Sequence, residues 1–486
     1  MGYEQLQKIT ITRDQIRTIY DEGPEAVETL VLSLVKSINN LTDIVNDQNK
    51  RITILEDQLS KNSRNSSKPS STDSPYKDKE KKKSTSQKPR KKRKGTTLKQ
   101  VPDPDKIVIS KVCTCEHCQA DISKIHSCGI DKRQVIDIPP IHSFTTEFQG
   151  EIVECPFCNK KTTAIFPDGV THKAQYGNNI QAMAVYLRNY QLIPLNRTMQ
   201  LFKDLFKVSI SEGSLVNMTT RCADRLSGFM DTVKDQLRKA DIIHNDETGV
   251  NILGKLHWLH TAGNKNWTYL MPHKKRGSDA IDEMDILTEF KGVSVHDFWK
   301  PYEKYKCSHA YCNAHILREL IFIFERKSQK WAGDMITLLL EIKKNVDDSK
   351  TKCLDIKDSK LFLEKYNQIL KVGYDKNPLP EVKKKRGRPK KGKILSLILR
   401  MDNYSTDILR FMTDSNTPFS NNLGERDLRM VKVREKISGT FRNMDRVNDY
   451  CKIRSFISTV QKQEKDVFNS LIKCFSPNYQ ELYNII

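Results

Sequence analysis

Apolar residues recur at alternating steps of four and three along the first part of the chain: Val27, Val31, Leu34, Ile38, Leu41, Val45, Gln48, Ile52, Leu55 and Leu59. A 3.5-residue period held this long predicts a helix with one apolar seam, a coiled coil in which Gln48 is the polar intrusion that sets register or strand number. A single amphipathic helix packed on its own domain is the alternative, and the strictness of the period speaks against it. Farther on the period changes to two. Runs at 241–246, 255–263 and 266–273 predict a strand meander, 278–290 a helix and 292–295 another strand; 135–138 and 151–153 also read as strands. Helical spacing marks 180–191, 195–206 and 211–226, with Pro194 separating the first two and Ser211 and Ser214 at the entry of the third. It returns at 331–346 and 360–372. Strands interleaved with helices predict an α/β protein.

Composition adds a partner to this picture. The 486 residues carry a formal net charge of +22, pI ≈ 9.3, on a chain long enough for two or three domains with cores of their own. Most of the excess lies in two tracts: 77–94, with eleven bases against two acids, and 383–393, with eight bases and no acid. Tracts this polar and short do not fold alone and serve as counter-ions for phosphate, in a salt-dependent way. The first sits in a Ser-, Lys-, Pro- and Asn-rich linker, 61–106, that either solubilises the chain or tethers it to DNA. The second contains Arg386-Gly387-Arg388-Pro389 followed by Lys390, the core of an AT-hook for a narrow minor groove; a basic loop without sequence preference is the alternative.

Twelve cysteines with no N-terminal apolar segment, and no apolar run near eighteen residues, point to a cytoplasmic protein with reduced thiols and no membrane association. Cys115-x-x-Cys118 and Cys155-x-x-Cys158 suggest a four-thiolate structural Zn²⁺ site, although the 36 residues between the pairs exceed the usual spacing. Cys113 and Cys128 are spare candidates, and redox activity is the weaker alternative because no thioredoxin-like unit surrounds either pair.

Three acids stand in settings suited to metal-dependent phosphoryl transfer. Asp246 in HNDETG closes an apolar strand, Asp297 follows the 292–295 strand, and Glu425 lies on a helix that Asn421 or Asn422 can cap. Hard divalent cations take oxygen ligands, and two of them clamp a scissile phosphate from both sides, so carboxylates from separate elements are expected. Singly, each acid also reads as something plainer: a turn former, a loop carboxylate, and a surface partner of Arg429 worth ~0.3–0.5 kcal/mol. His315, Arg318 and Glu319 open another helix. His315 suits either the positioning of DNA or its leaving group, or a structural hydrogen bond; Arg318, Arg426 and Arg429 suit phosphate contact, since guanidinium forks match phosphate oxygens. The 127 residues between Asp297 and Glu425 imply an insertion.

The phrases NDETG, VHDFWKPY, CNAHILREL and NNLGERDLR, in this order, resemble the signature blocks of bacterial insertion-sequence transposases of the sixty-six family. The resemblance extends over nearly the whole chain. It implies that Asp246, Asp297 and Glu425 are the metal-binding acids, holding Mg²⁺ or Mn²⁺, and that the cysteine-rich region is a zinc-ribbon module. Ser420 stands where the family's third block opens with an acid, a departure outside the triad.

The expected organisation is a helical coiled coil over 1–60, the linker, a zinc-ribbon-like module over 107–165, and a helical domain over 166–238. That domain is either a helix-turn-helix reader of DNA ends or a plain packing unit. An RNase H-like catalytic domain over 239–458, interrupted by a helical insertion at about 328–400, precedes a helical segment over 459–486. The expected activity is cleavage of element ends by water and joining of the freed 3′ ends to target DNA. A nuclease or resolvase on the same fold, or a non-catalytic DNA-binding regulator, are the alternatives. Expected partners are DNA, a second copy through the coiled coil, and accessory proteins of the same element.

Overall fold

The structure, a computed structural model, describes residues 12–66, 98–139, 141–379 and 392–481. The basic tract 77–94 and the AT-hook-like residues Arg386, Arg388 and Lys390 lie outside the described residues. Two units are distinguished, one formed from 1–76, 232–250 and 256–430 and the other from 77–231, 251–255 and 431–486.

The chain opens with α1 (Arg13–Asp21), where Thr12 and Gln15 cap each other's backbone, and α2 (Pro24–Leu59). A two-stranded ribbon, β1 (Ile152–Glu154) and β2 (Lys161–Thr163), follows, and then helices α3 (Asn178–Val185), α4 (Leu195–Phe206), α5 (Glu212–Arg225) and α6 (Ser227–Arg238). Next come β3 (Ile242–Ile252), β4 (Lys255–Gly263), β5 (Thr268–His273), α7 (Ser278–Met284), β6 (Val293–His296) and β7 (Ser308–Tyr311). The remaining helices are α8 (Asn313–Lys327), α9 (Lys330–Asp348), α10 (Ile356–Lys376), α11 (Lys393–Asn403), α12 (Ser405–Ile408), α13 (Asn422–Ser438), α14 (Met444–Lys462) and α15 (Val467–Cys474).

In the first unit, five strands form one mixed sheet in the order β5-β4-β3-β6-β7. β4 and β5 pair antiparallel, while β3 pairs parallel with β6 and β6 with β7. Leu253 and Gly254, both at positive φ (47° and 76°), make the two-residue link between β3 and β4, a turn whose twist matches that of the strands it joins. Ile243, Leu259, Val295 and Ala310 bury the sheet interior. The helix expected over 278–290 ends early, because Asp285 adopts a left-handed conformation (φ 55°). Arg238 Nε donates to the Asp285 carbonyl at 2.9 Å, which satisfies one backbone acceptor at that end.

The described residues between β7 and α13 are largely helical. α8, α9, α10 and α11 bury Leu320, Trp331, Met335, Tyr366 and Ile398 against one another, and the Tyr366 hydroxyl donates to the Met401 carbonyl at 2.8 Å. α9 and α10 coincide with the helical spacing read at 331–346 and 360–372.

Helix α2 runs for 36 residues with no buried position. Leu34, Ile38, Leu41, Val45, Ile52 and Leu55 are all more than half exposed on it. Near its end, Asp57 pairs with Lys327 of α8 at 3.0 Å and Arg64 with Glu325 at 3.2 Å; such surface pairs contribute ~0–1 kcal/mol each.

In the second unit, α3, α4 and α5 gather around Ala184, Phe202, Leu215 and Met218. Ser211 caps α5 through its hydroxyl, which accepts the Ser214 N–H at 3.1 Å. The strand expected at 135–138 is absent. That segment pairs with no strand among the described residues, and Val135 is 92% exposed, so neither ladder hydrogen bonding nor burial rewards its β-rich sequence. No helix among the described residues is long and apolar enough to cross a membrane.

Candidate active site

Two parallel strands bring the first two acids together. β3 and β6 pair in the register Ile242–Val293, Ile243–Ser294 and His244–Val295, and continuing it by two residues sets Asp246 beside Asp297. Gly292 makes this approach possible: a Cβ there would lie 2.3 Å from the Asp241 carbonyl oxygen and 2.8 Å from that of Ala240. The Val293 N–H donates to the Asp241 carbonyl at 2.8 Å, and the Asn245 side-chain amide reaches across to the Ser294 hydroxyl at 2.9 Å. Neighbouring backbone thus fixes the positions from which both carboxylates project.

Beyond Asp297 the chain turns at once. The Trp299 N–H donates to Asp297 Oδ1 at 2.9 Å, and a 3-10 turn over Lys300–Lys304 carries Tyr302 back beneath the sheet. There the Tyr302 hydroxyl donates to Glu247 Oε2 at 2.7 Å, and Arg276 Nε to Glu247 Oε1 at 2.9 Å. Arg276 in turn lies against the Trp258 and Trp299 rings, 4.8 and 4.6 Å from their centroids. Glu247, whose side chain is 1% exposed, therefore ties the loop after Asp297 to the strand that bears Asp246. A carboxylate this deep persists only with such partners. The sequence reading passed over Glu247, Arg276 and Tyr302; the available signal was an acid directly after Asp246 within a buried strand.

The third acid arrives on α13. Asn421 stands immediately before this helix, and its carbonyl accepts the Glu425 N–H at 3.2 Å. Its side chain is spent elsewhere than on a helix cap. Nδ2 donates to the Asn245 carbonyl at 2.8 Å, Oδ1 lies 2.8 Å from His244 Nδ1, and the Asn421 backbone N–H meets Cys312 Sγ at 3.2 Å. Gly424 completes the seam: a Cβ there would meet the Asn421 amide at 3.1 Å and the Asp246 Cβ at 3.3 Å, so the helix seats against β3 because that position carries no side chain.

Like charges crowd here. Burial, followed by the charges of Glu247 and Asp297 and more weakly that of Glu425, pushes the Asp246 carboxyl well above the ordinary aspartate value; the Glu247 N–H, donating to Asp246 Oδ1 at 2.9 Å, offsets only part of this. Glu247 is raised as well, by burial and then by Asp297, against the pull of Tyr302 and Arg276. Burial holds the adjacent His296 imidazole down at about 3, so it adds no positive charge. Among the described residues no salt bridge reaches Asp246 or Asp297. Half-buried carboxylates without a cation of the protein's own are the donor set that divalent ions fit.

Cys312 Sγ, a His315 ring nitrogen and a Glu425 oxygen lie within 4.8 Å of one another, the only such set of three or more metal-binding side chains among the described residues. Asp246, Asp297 and Glu425 do not all close to that distance.

The other expected residues fall in various places. Arg318 is half-buried on α8, and Arg426 and Arg429 are exposed on α13. Each CxxC pair forms the same turn: the Cys115 N–H donates to the Ala120 carbonyl and the Gln119 N–H to the Cys115 carbonyl, both at 3.0 Å, while the Cys155 N–H to Lys160 and Asn159 N–H to Cys155 bonds measure 2.9 and 2.8 Å. Gln119 and Asn159 are both left-handed. Backbone N–H groups aimed at Cys115 and Cys155 lower both thiol pKa values. Among the described residues the four thiols do not all lie within 4.8 Å of one another.

A family model described as Transposase IS66 family matches residues 173–448, more than half of the chain and a span that contains all three acids. This makes the protein a transposase by class. More narrowly, the chain belongs to the IS66 family of transposases. Residues 13–101 match a second model, a family of unknown function (DUF6444). No curated protein matches the chain. Among solved structures it is similar to a chain from a cryo-EM structure of a simian T-cell lymphotropic virus intasome in complex with PP2A regulatory subunit B56 gamma. That likeness has 12% identity, spans 41% of this chain and 70% of that one, and has a TM-score of 0.14, too low to carry an argument.

The crowding at Asp246 has a measurable signature. With its folded-state pKa raised, Asp246 holds its proton more tightly folded than unfolded, so this group's contribution to stability falls as pH rises from the ordinary aspartate value (~3.9) toward the folded value. In metal-free buffer Asp246→Asn is expected to raise the melting temperature at pH 7 to 8, with the difference closing as pH approaches 4. A difference independent of pH would contradict the crowding.

Proposed function

We propose that the protein cleaves DNA at the ends of its insertion sequence and joins the freed 3′ ends to target DNA, with Asp246, Asp297 and Glu425 as the metal-binding acids. The observation that carries this reading is the β3–β6 register that sets Asp246 beside Asp297, with Gly424 seating the helix of Glu425 against the Asp246 Cβ. Paired Mg²⁺ or Mn²⁺, when bound, would neutralise those charges, activate the attacking oxygen and stabilise the leaving one. The protein's part is preorganisation. The β3–β6 register, the Asn421 bridge and the Glu247–Tyr302–Arg276 bracket hold the carboxylates in place before DNA arrives, which reduces the reorganisation needed in the transition state. Arg426 and Arg429, exposed on the helix of Glu425, supply guanidinium groups for backbone phosphates, and Arg318 a further one.

The strand order, an antiparallel meander continued by two parallel strands, supports an RNase H-like catalytic domain. The two matching cysteine turns support a structural Zn²⁺ that would draw Cys115 and Cys118 together with Cys155 and Cys158, each turn supplying half of the ligands. The exposed seam of α2 supports self-association of two or more copies, since a helix of this length with an apolar stripe gains little by remaining in water. Arg386, Arg388 and Lys390 would add minor-groove contacts, and accessory proteins of the element remain candidate partners.

Asp297→Asn tests the catalytic assignment. Strand transfer with element-end DNA and Mg²⁺ is expected to fall by more than the ~10–100-fold typical of a residue one step removed from a metal, while a mobility shift shows end binding retained. Transposition at the wild-type level in this variant would refute the assignment. For self-association, Ile38→Asp combined with Leu41→Asp is expected to convert the full chain to monomer in sedimentation equilibrium. An unchanged mass would exclude the seam as the contact.

A further inference from the structure

One polar constellation is not accounted for by the three acids alone. Glu425 Oε1 and His315 Nδ1 face each other at 4.0 Å; both atoms are shielded from solvent, and neither has a hydrogen-bond partner. That separation is too long for a hydrogen bond. It is one that two ligands of a single ion can span, with bonds of about 2.0–2.2 Å each. The elements that carry the pair are fixed by backbone contacts. Cys312, at the end of β7, takes the His296 carbonyl at 2.9 Å through its N–H, and the His315 N–H returns to the Cys312 carbonyl at 3.2 Å. The Asn313 N–H donates to the Phe419 carbonyl at 3.1 Å, tying the start of α8 to the approach of α13. The imidazole and the carboxylate are thus presented to one another by separate elements locked at their bases.

We propose that His315 supplies, through Nδ1, a nitrogen ligand to the divalent ion held by Glu425. The inference rests on the reading of Asp246, Asp297 and Glu425 as metal-binding acids. Imidazole suits first-row transition ions, whereas magnesium prefers oxygen alone, so a nitrogen ligand at this end of the site discriminates against magnesium. Cys312, completely buried and already accepting the Asn421 N–H, stands behind the pair as a support and not as a manganese ligand.

Mn²⁺ bound to the full-length protein, followed by electron paramagnetic resonance and electron spin echo envelope modulation, tests this directly. Mn²⁺ is the probe because cysteine turns take it poorly. Wild type is expected to show ¹⁴N coupling from one imidazole. In His315→Gln the coupling is expected to vanish, with Mn²⁺ affinity lowered at least about tenfold and the preference for Mn²⁺ over Mg²⁺ reduced. If Mn²⁺ binding depends on Asp246 and Glu425 but wild type shows no ¹⁴N coupling, or the coupling persists in His315→Gln, the role of His315 is overturned and the acid triad stands. If binding is indifferent to Asp246→Asn and Glu425→Gln, the triad itself fails, and this inference with it.

Discussion

Negative charge brought together without an internal counter-ion is the constraint around which this molecule is built. Asp246 lies within β3, Asp297 directly follows the parallel strand β6, Glu425 approaches from a helix, and Glu247 lies buried directly behind. Left to themselves such groups would move apart or take up protons. Here they are held by backbone N–H bonds to Asp246 and Asp297 and by close packing around them: glycine at 292 where β6 meets the start of β3, glycine at 424 where α13 meets β3, and the Asn421 amide bridging helix to strand. The scaffold's stability is spent on keeping a repulsive arrangement intact.

Glu247 shows how this is managed. A fourth carboxylate beside the site worsens the crowding, yet its oxygens accept from Tyr302 and Arg276, and those bonds hold the loop on which Asp297 sits. Arg276 could have cancelled charge at the site itself. Packed against Trp258 and Trp299 and committed to Glu247, it forms no salt bridge with Asp246 or Asp297. The electrostatic imbalance is thus preserved at the two strand acids, where an exogenous cation would relieve it.

Local features of the chain were legible and non-local ones were not. α4 and β4 occupy the spans read from periodicity, because their apolar spacing and flanking breakers are contained within the segments themselves. Asp246, Asp297 and Glu425 stood out by their phrases, and the register of β3 against β6 does set the first two side by side. The roles of Asn421, Gly424 and Glu247 depend on partners far away in sequence; Asn421 was read as a possible cap and instead bridges to β3. The segment 135–138 has strand composition without a described strand to pair with, since pairing partners are not encoded within the segment, whereas the two CxxC turns formed as their local spacing suggests.

Anomalous scattering from crystals of the full chain grown in Mn²⁺ measures the central claim most directly. The account predicts two peaks about 3.5–4 Å apart, bounded by the carboxylates of Asp246, Asp297 and Glu425. An ordered site at saturating Mn²⁺ with no peak within coordinating distance of these three side chains would contradict it.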